Sequence, residues 1–387
     1  MPGLAVEQVV GILDRLESRP IAVHAGQCTR LRHRRSTCTR CADACPVGAI
    51  AWQDGLQVDA ETCISCGICA TVCPAGALEA QSPTNGELLA QVQKVVKERS
   101  RVAFACPLYV ETYGGGERFI SVNCLGRLDE SILVGAVSLG AQSVWLMDSA
   151  CEECAHAIGR DVAAAAAGRA DKLLEAFGVS QRIAMRPDLL PMSETAYGTN
   201  GAGEVLSRRG FFKLLARDTV RLGEIAVESV LQGQSAQAEK EVKKGELPVA
   251  LPAKGRLLLD ALRRIGKPAS ATFSADDGLW AGFGFSESCT GCQMCAFFCP
   301  TGALSKVEQD GKAGVAFQIS HCTNCGLCQD ICYREAVVLS DEVDLSKVVD
   351  DSTEVLFMRE ANAAPWRVPS EESVAGRILE SLGLKTE

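Results

Sequence analysis

The sequence predicts two small α+β modules, one near each end, flanking a central α/β domain built on a parallel sheet. Three observations predict it. Sixteen of the 20 cysteines fall in four tight runs, two between residues 28 and 73 and two between 289 and 332. Inside each pair of runs a turn signal, Gln53-Asp54-Gly55 or Gln309-Asp310-Gly311, is flanked by short apolar stretches and reads as a hairpin. Between the pairs, short apolar segments alternate with helical stretches, as in a parallel sheet.

A chain of 387 residues has room for two or three cores. Its 47% hydrophobic and 22% charged residues are those of an ordinary globular protein. Apolar runs are interrupted well short of 18 residues, so no transmembrane helix is expected. Residues 1–23 carry Glu7, Asp14 and Glu17 where a secretory leader would be basic and then apolar. They read as an amphipathic helix, and the protein as cytoplasmic. A net charge of −9 argues against nucleic acid as the main partner and favours redox enzyme subunits. In a reducing compartment, cysteines clustered this densely hold metal rather than disulfides.

The spacing selects the metal. Cys63, Cys66, Cys69 and Cys73 with Pro74, and Cys289, Cys292, Cys295 and Cys299 with Pro300, follow C-x2-C-x2-C-x3-C-P, the run that binds [4Fe–4S] clusters. Cys322, Cys325, Cys328 and Cys332 keep the spacing with Tyr333 in place of proline. Proline supplies rigidity and no ligand, so ligation is unaffected. The first run, Cys38, Cys41, Cys45 and Pro46, lacks a cysteine three residues upstream; Cys28, across a nine-residue loop, is the candidate. Such a loop closes at little added entropic cost. The alternative is a three-iron cluster with Cys28 free. Zinc needs only four thiolates and does not account for four runs of this spacing.

In such runs the fourth cysteine reaches the neighbouring cluster. The expected sets are Cys28, Cys38, Cys41 and Cys73; Cys63, Cys66, Cys69 and Cys45; Cys289, Cys292, Cys295 and Cys332; and Cys322, Cys325, Cys328 and Cys299. Over residues 24–82 and 284–342 the chain resembles the two-cluster bacterial ferredoxins and polyferredoxins. That resemblance implies ferredoxin-like α+β modules, four [4Fe–4S] clusters and electron transfer.

The central region, 83–190, begins with a helical stretch at 86–99. Strands are expected at 102–105, 119–122, 144–147 and 183–185, and helices near 128–139 and 155–177. The remaining cysteines, Cys106, Cys124, Cys151 and Cys154, follow three of these strands. In open α/β sheets ligands bind beyond the carboxyl ends of the strands, so the four are expected to converge. Cys106-Pro107, Cys124-Leu125-Gly126-Arg127-Leu128-Asp129 and Gly140-Ala141 before Cys151 resemble the delta-subunit family of methyl-viologen-reducing hydrogenases, over residues 100–186. The resemblance implies a [2Fe–2S] centre on those four cysteines. The sequence departs from that family in lacking a second cysteine soon after Cys106 and in the close Cys151-Glu152-Glu153-Cys154 pair. Structural zinc and uncommitted buried thiols are the alternatives.

Residues 191–283 read as a helical segment and linker, with polar residues 232–246 separating the central region from the second module. Residues 343–387 read as a tail. Ser207-Arg208-Arg209-Gly210-Phe211-Phe212-Lys213 has the look of a twin-arginine export signal but lies past residue 200 with no apolar segment after it. Arg30, Arg32, Arg34 and Arg35, between Cys28 and Cys38, are expected to dock an acidic partner, to favour a reduced cluster, or to be solvated. His24, His33, His156 and His321 are too dispersed for a metal triad. No dinucleotide fingerprint, Walker motif or nucleophile elbow is present. The expectation is therefore an electron-transfer subunit of a hydrogenase, formate dehydrogenase or heterodisulfide reductase type of oxidoreductase, not catalytic alone. The alternative is an accessory iron–sulfur protein supporting maturation of a molybdoenzyme.

Overall fold

In the N-terminal module the cysteine runs leave room only for short elements. These are β1 (Ile21–Val23), α1 (Thr29–Arg32), α2 (Arg40–Asp43), β2 (Ile50–Ala51), β3 (Gln57–Val58), α3 (Ile68–Val72) and β4 (Leu78–Ala80). The structure is a computed structural model and describes residues 20–53, 55–179, 182–186, 247–274, 278–340, 342–360, 374–375 and 378–379. The helix expected before residue 20, the twin-arginine-like stretch and the linker at 232–246 lie outside the described residues. So does the compact unit Leu189–Lys243; everything below belongs to the other unit, Met1–Asp188 with Lys244–Glu387.

β1 pairs antiparallel with β4, and β2 with β3. Helix α3 ends at Cys73, whose successor Pro74 cannot continue it. The small core combines Ile21, Ile50, Leu56 and Leu78 with the thiols of Cys28, Cys41, Cys69 and Cys73.

The central domain follows: α4 (Asn85–Val96), β5 (Arg101–Ala105), α5 (Pro107–Tyr113), β6 (Ile120–Ser121), α6 (Glu130–Ser138), β7 (Ser143–Met147), α7 (Ile158–Ala176) and β8 (Ile183–Arg186). Its four strands are parallel in the order β6-β5-β7-β8, close to the expected segments. Thr84 and Glu87 close a capping box on α4, and Asp129 caps α6 through the Ser131 amide at 2.9 Å. Val102, Phe104, Val144 and Leu146 on one face of the sheet are fully buried, and on the other face Ala105 and Met147 are buried with Tyr109 of α5, as in a sheet covered on both faces. In α7, Ala163, Ala166, Ala167, Ala170 and Leu174 recur at helical spacing and form the buried stripe. Helix α5 was not expected; Cys106 precedes it and Pro107 occupies its first position.

The second module repeats the plan of the first with longer strands. It comprises α8 (Ala253–Ile265), β9 (Thr272–Ser274), β10 (Gly282–Phe285), α9 (Met294–Phe297), β11 (Leu304–Gln309), β12 (Lys312–Gln318), α10 (Leu327–Ile331), β13 (Val337–Ser340), β14 (Glu342–Asp344), α11 (Leu345–Val349) and β15 (Thr353–Glu360). β10 pairs with β13, and β11 with β12 across Asp310-Gly311, whose φ angles of +53° and +74° are those of a type I′ turn. Asp54 of the matching first hairpin lies outside the described residues.

Two features of this half differ from the sequence expectation. Residues 342–360, mostly assigned to a tail, pair β14 with β9 and add β15 to β12 as a third strand. The second module is also not held apart from the central domain: Leu304, Val315, Phe317 and Ile319 share one apolar core with Val102 and Leu146. Helix α8 supplies part of the bridge by burying Leu258, Leu259 and Leu262, and Arg264 donates to Ser138 Oγ at 3.1 Å. The apolar face of α8 is worth more buried than solvated, which a polar linker ahead of it does not oppose.

Candidate metal centres

No disulfide joins any of the 20 cysteines. Which of them lie together is read from how they perturb one another. Cys41 is pushed up to about 12, by burial first and then by Cys73, Cys28 and Cys38. Cys69 is pushed up to about 12 by burial and then by Cys66, Cys63, Cys41 and Cys45. In the second module burial, followed by Cys292, Cys289 and Cys332, pushes Cys295 up to about 12. Cys328 is raised by burial and then by Cys325, Cys322, Cys299 and Cys295. Each neighbourhood contains one of the crossed sets expected from the spacing, with the distal Cys28 inside the first. Cys41 within the second neighbourhood, and Cys295 within the fourth, mark where paired sets adjoin.

Burial and like charge both oppose ionisation, so thiols packed this way ionise at neutral pH only when positive charge is bound among them. Backbone amides already point at sulfur: Ala49 to Cys45, Ala77 to Cys73 and Ala336 to Cys332, each at 3.3 Å. Such N–H···S bonds are part of what tunes an iron–sulfur cluster. The donor set fits that group. Among the described residues no three or more His, Cys, Asp or Glu side chains could hold a single metal ion. One zinc would need four thiolates at about 2.3 Å from a common point. Tyr333, standing where the other runs have proline, bonds Thr290 Oγ1 at 2.9 Å through its hydroxyl.

The central cysteines occupy one end of the parallel sheet. Cys106 follows β5, Cys124 follows β6, and Cys151 and Cys154 follow β7. Strand order reverses between β5 and β7, the place where open α/β sheets bind ligands. Cys151 is pushed up to about 12 by burial and then by Cys106, Cys124, Asp148 and Cys154. Cys124 rises to about 11 through burial, then Cys66, Cys106 and Cys154. The four thiols therefore act on one another at this end of the sheet, and Asn123, next to Cys124, donates to Ser65 O, next to Cys66 of the N-terminal module, at 3.0 Å. Close backbone approach makes this possible. A Cβ on Gly159 would fall 2.3 Å from Cys124 Sγ, and one on Gly126 would fall 2.8 Å from Ile68 Cγ1 in α3.

Two arginines that the sequence marked only as members of a basic group and of a motif, Arg32 and Arg127, are buried. Arg127 donates to Pro83 O at 3.0 Å and Asn85 Oδ1 at 2.6 Å, faces Asp129, and crowds Gly67 beside Cys69. Gly67 has φ +76° and a Cβ there would lie 2.2 Å from Arg127 Cδ, so only glycine fits. Arg32 is 1% exposed, whereas Arg30, Arg34 and Arg35 of the same basic group are exposed. Its guanidinium donates to Gly26 O at 2.7 Å, to Phe298 O at 3.3 Å, to Cys299 O at 3.5 Å and to Pro248 O. His33 packs edge-on against Phe298, and Arg35 reaches Ile331 O at 3.4 Å. The basic loop thus docks on the second module of its own chain. Composition marked the loop, but only burial separates Arg32 from its neighbours.

The histidines form no common site. His24 contacts Glu79 at 3.1 Å, and the His156 amide donates to Cys154 Sγ at 3.4 Å. No helix among the described residues is long and apolar enough to cross a membrane.

Comparison with known proteins agrees with this layout. Residues 34–77 and 288–336 each match the family described as 4Fe-4S dicluster domain. Residues 110–193 match methyl-viologen-reducing hydrogenase, delta subunit. Cys28 and Cys106 lie just outside these ranges. Pyruvate synthase subunit PorD of Thermotoga maritima is 31% identical over 58 residues, which are 15% of this chain and 56% of that protein. The chain thus spans about half the length of that curated relative. No solved structure matches the chain. The protein carries a 4Fe–4S dicluster domain at each end and a segment of the hydrogenase delta-subunit type between them.

Proposed function

We propose that the chain is a multi-cluster electron-transfer protein, with four [4Fe–4S] clusters on the sixteen run cysteines and a [2Fe–2S] centre on Cys106, Cys124, Cys151 and Cys154. The observation that carries this is the grouping of buried and half-buried thiols into four crossed neighbourhoods, with a fifth at the sheet's switch point next to Cys66. Iron–sulfur clusters pass electrons singly, so a chain of them suits a wire between larger catalytic subunits. The relatives support that setting, since both are by name subunits of enzymes. The partner is then a cytoplasmic oxidoreductase of hydrogenase, formate dehydrogenase or heterodisulfide reductase type, and the two end modules are ferredoxin-like.

The test is iron, acid-labile sulfide and zinc content of anaerobically purified protein, with electron paramagnetic resonance of the reduced state. About 18 irons and a distinct [2Fe–2S] signal are expected; about 16 would remove the central centre. Abundant zinc with little iron after reconstitution would overturn the electron-transfer function. A stoichiometric complex in active enzyme preparations is expected, whereas binding only to an immature molybdoenzyme would favour the accessory role.

A further inference from the structure

The proposed centres fall into a sequence. Asn123, next to Cys124, donates to Ser65 O next to Cys66 at 3.0 Å; helices α2 and α3, which carry Cys41 and Cys69, pack together, as do α9 and α10, which carry Cys295 and Cys328. Between the first module and the second the structure places arginine. Arg32 enters from the loop between Cys28 and Cys38 and bonds the carbonyl of Cys299 itself. Arg40, exposed at the start of α2 and adjacent to Cys41, lines a cavity of about 530 Å³ with Cys322 and Thr323. Both arginines act electrostatically on Cys325. The four carbonyls that Arg32 satisfies would each be left short of a donor without it, so the side chain is fixed where its charge is felt.

We propose that Arg32 and Arg40 of the N-terminal module raise the reduction potential of the cluster on Cys322, Cys325, Cys328 and Cys299, making it the electron acceptor across the seam between the modules. This rests on the ligand sets proposed above. Reduction adds one negative charge to a cluster, and fixed positive charge nearby stabilises the reduced form. Arg32 is buried, where charge is weakly screened, so its effect is the larger and is insensitive to salt; the effect of exposed Arg40 shrinks as salt rises. Neither residue is a ligand.

The experiment is a redox titration followed by electron paramagnetic resonance on full-length protein, comparing wild type with Arg32→Gln and Arg40→Gln. Cys325→Ser identifies the relevant signal as the one it removes or alters. That signal is expected to titrate at lower potential in both variants, further in Arg32→Gln, with the clusters on the Cys63 and Cys289 runs shifting less. Arg32→Lys and Arg40→Lys should restore it towards wild type. The proposal is overturned if the marked signal titrates as in wild type in both Gln variants at full iron content. Should Arg32→Gln fail to fold, Arg40→Gln decides alone, because its side chain is exposed and its replacement leaves packing intact. Wild-type protein with far fewer than about 16 irons would instead sink the ligand sets, before any variant is compared.

Discussion

The N-terminal module and the central domain both gather cysteines, but they differ in how far their cores are built from them. In the module the thiols of Cys28, Cys41, Cys69 and Cys73 are members of the core, beside a handful of aliphatic residues. In the central domain the core is aliphatic and aromatic, Val102, Phe104, Leu133, Val144 and Leu146 among others; all four cysteines follow strand ends, and of them only Cys151 belongs to that core. The difference teaches which part depends on metal. A module of about 60 residues is marginal on apolar burial alone, and metal binding there is folding energy. The central sheet pays for itself by burying two faces and presents its site ready-made.

The largest break of this comparison is removal of iron. Chelation is expected to abolish hydrogen-exchange protection at the β1 and β4 amides while those of β7 and α7 stay protected. Persistent protection of β1 and β4 in iron-free protein would show that the thiols are ordinary core residues. The converse is a lesion in the sheet. Leu146→Ala is expected to cost about 2–5 kcal/mol in denaturant unfolding of the central domain. Purified at low temperature, it should still carry the eight irons of the N-terminal clusters, so that total iron stays at or above about eight; a lower count would mean that the module leans on the sheet.

A finer cut separates site from scaffold within the central domain. Gly159→Ala places a methyl 2.3 Å from Cys124 Sγ and must displace one of them. Loss of about two irons per chain is expected, with the [4Fe–4S] signals retained; unchanged iron would argue that Cys124 is no ligand. The smallest effect is a control far from sulfur. Thr84→Ala removes the capping box of α4, with an expected loss of about 1 kcal/mol and no change in iron content or spectrum.

Much of this was legible because it is local. The C-x2-C-x2-C-x3-C runs act over a few residues of backbone, and the Asp310-Gly311 turn needs only two, so both could be read without the rest of the chain. The four central strands were legible for a related reason, since a strand buried on both faces must be apolar throughout. The adjoining Cys41 and Cys69 neighbourhoods follow from the crossed spacing. The packing of Gly126 and Gly159 against Ile68 does not, because glycine in a sequence does not say what approaches it.

Sequence by itself therefore determined the cysteine runs, the repeated dicluster domain and the parallel sheet, each through spacing or period. Only the tertiary structure decided that α8 and residues 342–360 join the second module's framework, and that one arginine of four is buried. The Arg32 bond to Phe298 O spans 266 positions in the chain. No short-range pattern encodes a contact of that reach; it exists because apolar surfaces on both sides closed around it and left the guanidinium no water to bond.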